Sequence, residues 1–460
     1  MEARAASACI FLCALLSLRA DAIVYEVNSA GDASDANPND GICETQTPGV
    51  CTLRAAVQQA NVTGGEIRIP AMTITLGDTI DITHDMTLAG AGMRRSIVSG
   101  NALFRIFHVG DFPNHTPVVS ISDMTLRDGH VPDYGGAIYV VQTQLTVERC
   151  FFANNYSSGY GGAILADYLT DLRIRDSVFT DNHAAATSGE GGALFVYNST
   201  STFLNTAIYQ NSAGSAGALG FSRASGTLTN CTIGGNLADA NGGGIALFSD
   251  TQAGSSVGLY NTTVAGNRAT SGSGGGIYVA DNTSSSAAIQ NTIVSSNTRI
   301  GKGVVVSSDC AGTIASQGSS IVSGICTVSG SYSTANPLLG PLQDNGGTNG
   351  PTYALMSGSP AIDGGSLGGC PLVDQRGVQR QTGGHCDMGA YEHAPCGDVD
   401  GDGGVSLADI FFLINYLFAG GPSPPGLANV NGDGTITIGD VFYLVNALFA
   451  GGPAPNCPGT

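Results

Sequence analysis

Two short stretches near the C-terminus space oxygen-bearing side chains at intervals that suit a hard cation. In the first, Asp398, Asp400, Asp402, Ser406 and Asp409 occupy positions 1, 3, 5, 9 and 12 of a twelve-residue loop, with Gly403 at position 6. Calcium takes roughly six to eight oxygen ligands, and this spacing wraps them around one point. Gly404, at position 7, offers its backbone carbonyl. The loop recurs with Asn429, Asn431, Asp433, Thr435, Thr437 and Asp440, 31 residues further on. Asn at the first and third positions removes two charges, so the second loop is expected to hold Ca2+ more weakly.

Each loop leads into an apolar stretch that reads as a helix, Asp409 to Phe418 and Asp440 to Phe449. Each stretch ends in Ala-Gly-Gly-Pro, a glycine stop followed by proline. Cys396 and Cys457 bracket the pair, so a disulfide is expected to join its ends. Loop–helix twice, with no helix before either loop, resembles the type I dockerin domain. The resemblance implies calcium binding and docking to a cohesin, often in assemblies that degrade plant polysaccharide. The family's recognition pairs fall on Leu407-Ala408 and Ile438-Gly439. These are not the Ser-Thr type common in that family, and the helices lack its basic residues. The partner is therefore left open between a cohesin and another surface-anchoring protein.

The rest of the chain must position this module. Among 460 residues, 67 are glycine, none is tryptophan, and Lys302 is the single lysine. A net charge of −19 argues against a basic nucleic-acid-binding patch. Residues 1–22 read as a secretory signal, with Arg4, an apolar run from Ala8 to Leu18, and Ala20-Asp21-Ala22 for cleavage. No later run reaches the ~20 apolar residues of a membrane span. The expectation is an exported protein, secreted or surface-associated. Export permits disulfides, and four local pairs are expected: Cys43–Cys51, Cys310–Cys326, Cys370–Cys386 and Cys396–Cys457.

Residues 135 to 300 repeat with a period of about 25 to 32 residues. A glycine pair opens an apolar strand at Gly135-Gly136, Gly161-Gly162 and Gly191-Gly192, with looser copies at Gly217, Gly243 and Gly275. An asparagine closes each unit: Asn155, Asn182, Asn211, Asn236, Asn267 and Asn297. Alignment on it produces an apolar column (Val147, Ile174, Phe203, Leu228, Leu259, Ile289) and a turn column (Arg149, Asp176, Asn205, Asn230, Asn261, Asn291). A small column follows, running from Cys150 to Thr292 and including Cys231. Such a chain buries its apolar face only by stacking turn on turn at ~4.8 Å. The Asn205–Asn291 column is expected to form a ladder. Glu148 is expected beside Arg175, and Arg149 beside Asp176. Cys150 and Cys231, three rungs apart, are expected to be buried free thiols.

The repeats resemble the Gly-Gly-Ala-Ile and Phe-x-x-Asn repeats of chlamydial polymorphic outer-membrane proteins, which implies a right-handed parallel β-helix. Upstream, Thr52 to Asn61 reads as a capping helix, followed by strands at Ile67–Ile69, Thr73–Leu76, Asp81–Leu88 and Val118–Leu126. Cys51-Thr52-Leu53-Arg54-Ala55-Ala56 resembles the family named for a Cys-Ser-Leu-Arg-Glu-Ala motif, found at the start of exported β-helices. Downstream, Asn336-Pro337-Leu338-Leu339, Asp344-Asn345-Gly346-Gly347, Ser359-Pro360-Ala361-Ile362-Asp363, Asp374-Gln375-Arg376-Gly377 and Asp387-Met388-Gly389-Ala390 resemble in order the "choice-of-anchor" Q segment. In that group the segment closes a β-helix ahead of an attachment module.

The expected organisation is a signal (1–22), a β-helix with its cap (23–335), the anchor-like segment (336–393) and the calcium-loop module (394–460). The fold class is all-β, a solenoid with a capping helix plus a small helical domain. The expected function is non-catalytic: adhesion, carbohydrate binding or a structural role, docked through the calcium module. The alternative is a polysaccharide lyase or glycoside hydrolase. That chemistry needs clustered carboxylates on one face. The nearest such group is Asp123, Asp128 and Asp133, with Arg127 and His130, for which turn and ladder roles are expected. Tyr139, Tyr160, Tyr168 and Tyr197 could replace tryptophan against a sugar.

Overall fold

The computed structural model describes residues 23–457, except 111, 112, 114, 186–188, 250–252, 281–283, 367, 381–384, 402, 403 and 425. The expected signal peptide lies outside the described residues. The chain from Val24 onward winds into a parallel β-helix. Its walls are sheets of twelve, ten, nine and eight strands, paired in parallel with their counterparts one turn away, save the antiparallel hairpin of Thr298–Gly301 with Val304–Ser307 that ends the eight-stranded wall. The register follows the aligned columns: Val147 pairs with Ile174, Ile174 with Phe203, Phe203 with Leu228, Leu228 with Leu259 and Leu259 with Ile289. All six are buried. Phe152 and Phe179 stack beneath them, ring centroids 4.4 Å apart.

The closing asparagines form the spine of the coil. Asn155, Asn182, Asn211, Asn236, Asn267 and Asn297 are fully or almost fully buried. The Nδ2 group of each donates to the Oδ1 of the next at 2.9–3.0 Å. That same Oδ1 also accepts the backbone N–H of the preceding asparagine. Each Nδ2 also reaches a carbonyl of the previous turn, as Asn236 does to Ile208 at 2.9 Å. An amide is the side chain that both donates and accepts, so it can sit inside such a chain of bonds. The ladder ends on Asp309, whose Oδ1 accepts both the backbone and side-chain N–H of Asn297. A carboxylate only accepts, which is what a last rung requires. Burial pushes the Asp309 carboxyl above its usual range.

Two predicted strands are each broken in two. Asp81–Leu88 is interrupted between Ile80–Ile82 and Met86–Gly90. Val118–Leu126 is split at Asp123, which adopts φ 59° and turns the corner between two walls. Helix α1 (Leu53–Thr63) caps the coil. Thr52 accepts from the Ala55 N–H, while Leu53, Ala56, Val57 and Ala60 are buried. Arg54 forks onto Asp32 and reaches the carbonyls of Asp78 and Thr79. The Cys-Thr-Leu-Arg stretch thus supplies, in order, a disulfide to Cys43, a helix cap, a core residue and a tether.

Residues 337–393 run back along one flank of the coil. Leu339–Gln343 and Thr352–Leu355 form a small antiparallel sheet. Asn349 bonds Asp176, Gln375 bonds Thr232, Arg380 bonds Asn230, and Tyr353 bonds the Ala265 carbonyl. The N–H of Ser366 donates to Asn291 at 2.8 Å. The carboxylates and arginines of this stretch are buried pairs: Asp374 with Arg376, and Glu392 with Arg380, both at 2.8 Å. Arg376 also lies 3.6 Å from the Tyr391 ring centroid. The turn column is therefore only partly a ladder of its own. Asn230 bonds Asn205, and Asn291 bonds Asn261, but Asn230, Asn261 and Asn291 also serve as docking posts for this flank segment.

All four expected disulfides are formed, and Cys150 and Cys231 are free and buried, with thiols pushed up to about 12 by burial. Glu148 pairs with Arg175 at 2.6 Å as expected. Arg149 does not pair with Asp176; it forks backward onto Asp123 at 2.7 Å. Asp176 instead accepts from Asn205 and Asn349, both neutral amides.

Replacing Asn236 by alanine takes the acceptor from the buried Asn211 N–H and removes one bond each from the Asn211 Nδ2, the Ile208 carbonyl and the Asn267 oxygen. At about 1–3 kcal/mol for the unsatisfied N–H and about 1 kcal/mol for each further bond, the loss should reach about 3 kcal/mol. Asn205→Ala, at a half-buried position of the turn column, should cost about 1 kcal/mol. Equal shifts in guanidinium midpoint for the two variants would remove the ladder from its central role.

Candidate functional site

The C-terminal module has its own core of Val399, Ile410, Leu413, Val430, Val441 and Leu444, closed by Cys396–Cys457. Its helices are α2 (Leu407–Ala419) and α3 (Ile438–Phe449), which pack together. Both begin two residues earlier than the apolar pattern suggests. Ser406 and Thr437 are N-caps, and Asp409 and Asp440 complete capping boxes. The helix start therefore converts the ninth and twelfth loop positions into a fixed corner. At the other end of α2, Gly420 adopts φ 70°, the left-handed stop that glycine allows.

In the first loop, carboxylate oxygens of Asp398, Asp400 and Asp409 lie within 4.8 Å of one another. Asp398 and Asp409 are fully buried. Asp409 holds the loop by accepting the N–H groups of Val399, Asp400 and Ser406. Asp402 lies outside the described residues. Gly404 follows it on the loop. In the second loop Asp440 accepts from Val430, Asn431 and Thr437 in the same manner. Asp433 bonds Asn431 and Thr435, and the Thr435 N–H holds its carboxyl below the usual range. The Asn429 Oδ1 is buried with no hydrogen-bond partner. A buried, unpartnered acceptor is costly, and a cation-sized centre bounded by oxygens would satisfy it. The donors are all oxygen, with no thiolate or imidazole, which is the ligand chemistry of calcium.

The carboxylates first considered for catalysis do not converge. Asp123 is held by Arg149, Asp128 sits at φ 55° beside Arg127 and Ser99, and His130 stacks on Tyr156 at 4.4 Å. Asp133 turns away to Arg105 at 2.7 Å. A different group assembles on the nine-stranded wall. Asp81 bonds His108 at 3.0 Å, His108 stacks on Tyr139 at 5.4 Å, and the Tyr139 hydroxyl donates to Asp167 at 3.1 Å. Arg105 lies over the same Tyr139 ring. The His108 contact holds the Asp81 carboxyl low, burial raises Asp167, and burial beside Asp167 pushes Tyr139 up to about 12. On the next turns Tyr134, Tyr160 and Phe195 stack in series. Burial alone pushes the neighbouring Glu190 to about 7. Asp81, His108 and Tyr139 stand at one register position of successive turns, and Asp167 lies two positions along the next strand. The residue types change from turn to turn, so no column of like side chains marks the group.

The stacking answers the question of sugar platforms. Tyr139 and Tyr160 spend their ring faces on each other's neighbours, and Arg223 lies over Tyr197. Tyr139 and Tyr160 thus have their ring faces against neighbouring side chains.

Residues 396–451 match the family model of the type I dockerin domain, and residues 113–257 match that of the right handed beta helix region. The expected fold class is thereby met: a right-handed β-helix and a dockerin domain on one chain. Among solved structures, the chain is similar to the A-module of the Azotobacter vinelandii mannuronan C-5 epimerase AlgE6. The identity is 14%, over 68% of this chain and 100% of that one, with a TM-score of 0.27. A likeness this distant bears on no activity. No curated protein matches the sequence. Among the described residues, no helix is long and apolar enough to cross a membrane.

The two loops differ in charge: four carboxylates in the first (Asp398, Asp400, Asp402, Asp409) against two in the second (Asp433, Asp440). Calorimetric titration of the full chain should show two calcium ions, the first bound at least tenfold more tightly. Asn431→Asp should tighten the second site, and Asp400→Ala should abolish the tighter step. Two equal affinities, or none, would contradict the loop assignment.

Proposed function

Starting from a right-handed β-helix joined to a type I dockerin domain, we propose that the chain is an exported, non-catalytic β-helix displayed on a scaffold through calcium-dependent docking. The proposed calcium ligands are Asp398, Asp400, Asp402, Gly404, Ser406 and Asp409, and Asn429, Asn431, Asp433, Thr435, Thr437 and Asp440. The β-helix with its cap, the flank segment and the docking module divide the exported chain at about residues 335 and 393. Four disulfides and the dockerin match support a location outside the cell or on its surface.

One observation carries the docking reading. The two repeats expose the same apolar side chains at equivalent positions: Leu407 and Ile438, Phe411 and Phe442, Phe418 and Phe449. The last four are each 62–67% exposed. Four largely exposed phenylalanines on a small module form a surface that association would bury. Dockerin domains dock onto cohesins, and this surface fits a cohesin with an apolar face rather than one reading hydroxyl and basic side chains. The loops set the start of both helices, so calcium would fix the spacing of the two phenylalanine sets.

Immobilised cohesins should capture the full chain in calcium and release it in EGTA. Phe411→Asp combined with Phe442→Asp should weaken capture at least 100-fold while leaving calcium uptake intact. Capture that persists in both tests would sink the docking reading.

A second reading, catalysis on a polysaccharide, draws support from the Asp81–His108 and Tyr139–Asp167 pairs beside Arg105. Asp81 orients the imidazole through Nδ1, leaving Nε2 to move a proton, and Tyr139 stands alongside as a proton donor. In this reading, incubation with a panel of polysaccharides and calcium releases reducing or unsaturated ends. His108→Ala and Tyr139→Phe then abolish that release without disturbing docking. Silence across the panel leaves the display reading alone.

A further inference from the structure

The eight-stranded wall breaks its own pattern at its last members. Each earlier rung gives this wall a strand of two residues. After Asn297 the chain instead runs out along Thr298–Gly301, turns at Lys302-Gly303 and returns along Val304–Ser307. The base of this excursion is closed without it. The Ser308 N–H donates to the Asn297 carbonyl at 2.9 Å, and Asp309 takes the backbone and side-chain N–H of Asn297. The Cys310–Cys326 disulfide anchors the chain just beyond. None of residues 298–307 is buried. The hairpin therefore adds no side chain to the core, although Ile300, Val304, Val305 and Val306 are of the type that fills one.

Val304–Ser307 is the outer strand, and among the described residues no strand pairs with its far side. The bond from Ser308 to Asn297 sets which groups face that side. It makes Thr298 and Ser307 a pair without direct backbone bonds, and alternation gives the same to Ile300 and Val305. The N–H and carbonyl of Val305 thus point away from the hairpin. Val304 is 62% exposed and Val305 55%. A bare edge with β-branched side chains on both faces is a template for one more strand, and proteins blunt such edges with charge, proline or a covering segment. The run Gly303-Val304-Val305-Val306-Ser307 carries neither charge nor proline.

Charge indicates what kind of strand fits. The chain carries −19, yet residues 298–308 contain Arg299 and Lys302 and no carboxylate. Arg268 stands one rung before, opposite Thr298. Other arginines of the coil meet carboxylates, as Arg54 meets Asp32 and Arg175 meets Glu148. Among the described residues Arg268, Arg299 and Lys302 meet none, and the Arg268 Nε is buried without a hydrogen-bond partner. The Arg299 guanidinium lies beside Gly301 and Val306, on the hairpin itself. Screening confines charge effects to about 10 Å at 0.1 M salt. An acidic segment therefore meets a local excess of positive charge at this edge and net repulsion over the rest of the surface.

We propose that the free edge of Val304–Ser307 takes up an extended, acidic segment of a partner protein as an added strand. Backbone bonds at Val305 supply the pairing, and Arg299 and Lys302 select carboxylate side chains. The contact uses none of the phenylalanines of α2 and α3 and goes beyond the docking reading.

The test is fluorescence anisotropy of a labelled short peptide of alternating Glu and Val, titrated with the full, calcium-loaded chain. A Lys–Val peptide of equal length and a Glu–Val peptide interrupted by proline are the comparisons. The uninterrupted Glu–Val peptide should bind, more weakly as salt is raised. Val305→Pro removes the outward N–H while sparing the hairpin's own bonds, and should weaken binding at least tenfold. Val305→Thr keeps that N–H and should bind as the parent does. Arg299→Gln combined with Lys302→Gln should weaken binding at least fivefold. All of these variants should keep the parent's thermal unfolding midpoint, because the base is closed without the hairpin. Equal binding of the Lys–Val peptide overturns the acidic assignment. Binding that Val305→Pro leaves intact overturns strand addition. Self-association of the chain that Val305→Pro abolishes gives the edge to a second copy and overturns the partner assignment. Absence of binding by every peptide overturns the proposal.

Discussion

Every turn of a stacked coil leaves backbone and side-chain polar groups inside, and each must find its partner one rung away. The buried asparagine ladder meets that demand. Its oxygen takes two N–H groups from one neighbouring rung, and its nitrogen reaches the rungs on both sides. Because the bonds connect consecutive turns, a shift in register of one residue would break every one of them. The ladder therefore sets the alignment that brings Val147 over Ile174 and Phe152 over Phe179. Its end on Asp309, a carboxylate that accepts, shows that the bonds keep one direction from Gly129 to Asp309.

The exterior follows from that alignment. Once rungs are in register, residues at equal positions meet, and charges or rings form rows. Glu148 meets Arg175, Tyr134 meets Tyr160, and Asp81 meets His108. Where all turns are alike the surface is a regular strip. Where one turn is longer, the backbone departs from its neighbours, as at Tyr168–Thr170, where Tyr168 and Leu169 both adopt positive φ. Variation between repeats thus shapes the surface without disturbing the ladder beneath.

The flank segment shows the same economy at longer range. Its arginines Arg376 and Arg380 are buried, and a buried charge is tolerable only with a partner and hydrogen bonds. Asp374 and Glu392 supply the charge, while backbone carbonyls and Asn230 supply the rest. The coil's turn asparagines thereby hold a second layer against its side. The C-terminal module has a separate core and a disulfide across its ends, so its loops and exposed phenylalanines depend on α2 and α3 rather than on the coil.

Much of this was legible in the amino-acid order. Period, closing asparagines, apolar columns and capping motif are contacts between neighbouring rungs, and a repeat writes those contacts into the chain at a fixed spacing. The two oxygen-rich loops are legible for the same reason: their side chains lie within twelve consecutive residues. Disulfides between cysteines 8 to 61 residues apart could be paired by bracketing. Other features were settled only by the tertiary structure. Arg149 had an acidic neighbour on either side, and only the side-chain path chose Asp123 over Asp176. Asn230 and Thr232 meet the flank segment across 143 to 150 residues, with no periodic mark to announce it. The His108–Tyr139 group arises where the residue types at one register position differ between repeats. Periodicity reports what repeats share; the groups that could act on a ligand lie in what they do not.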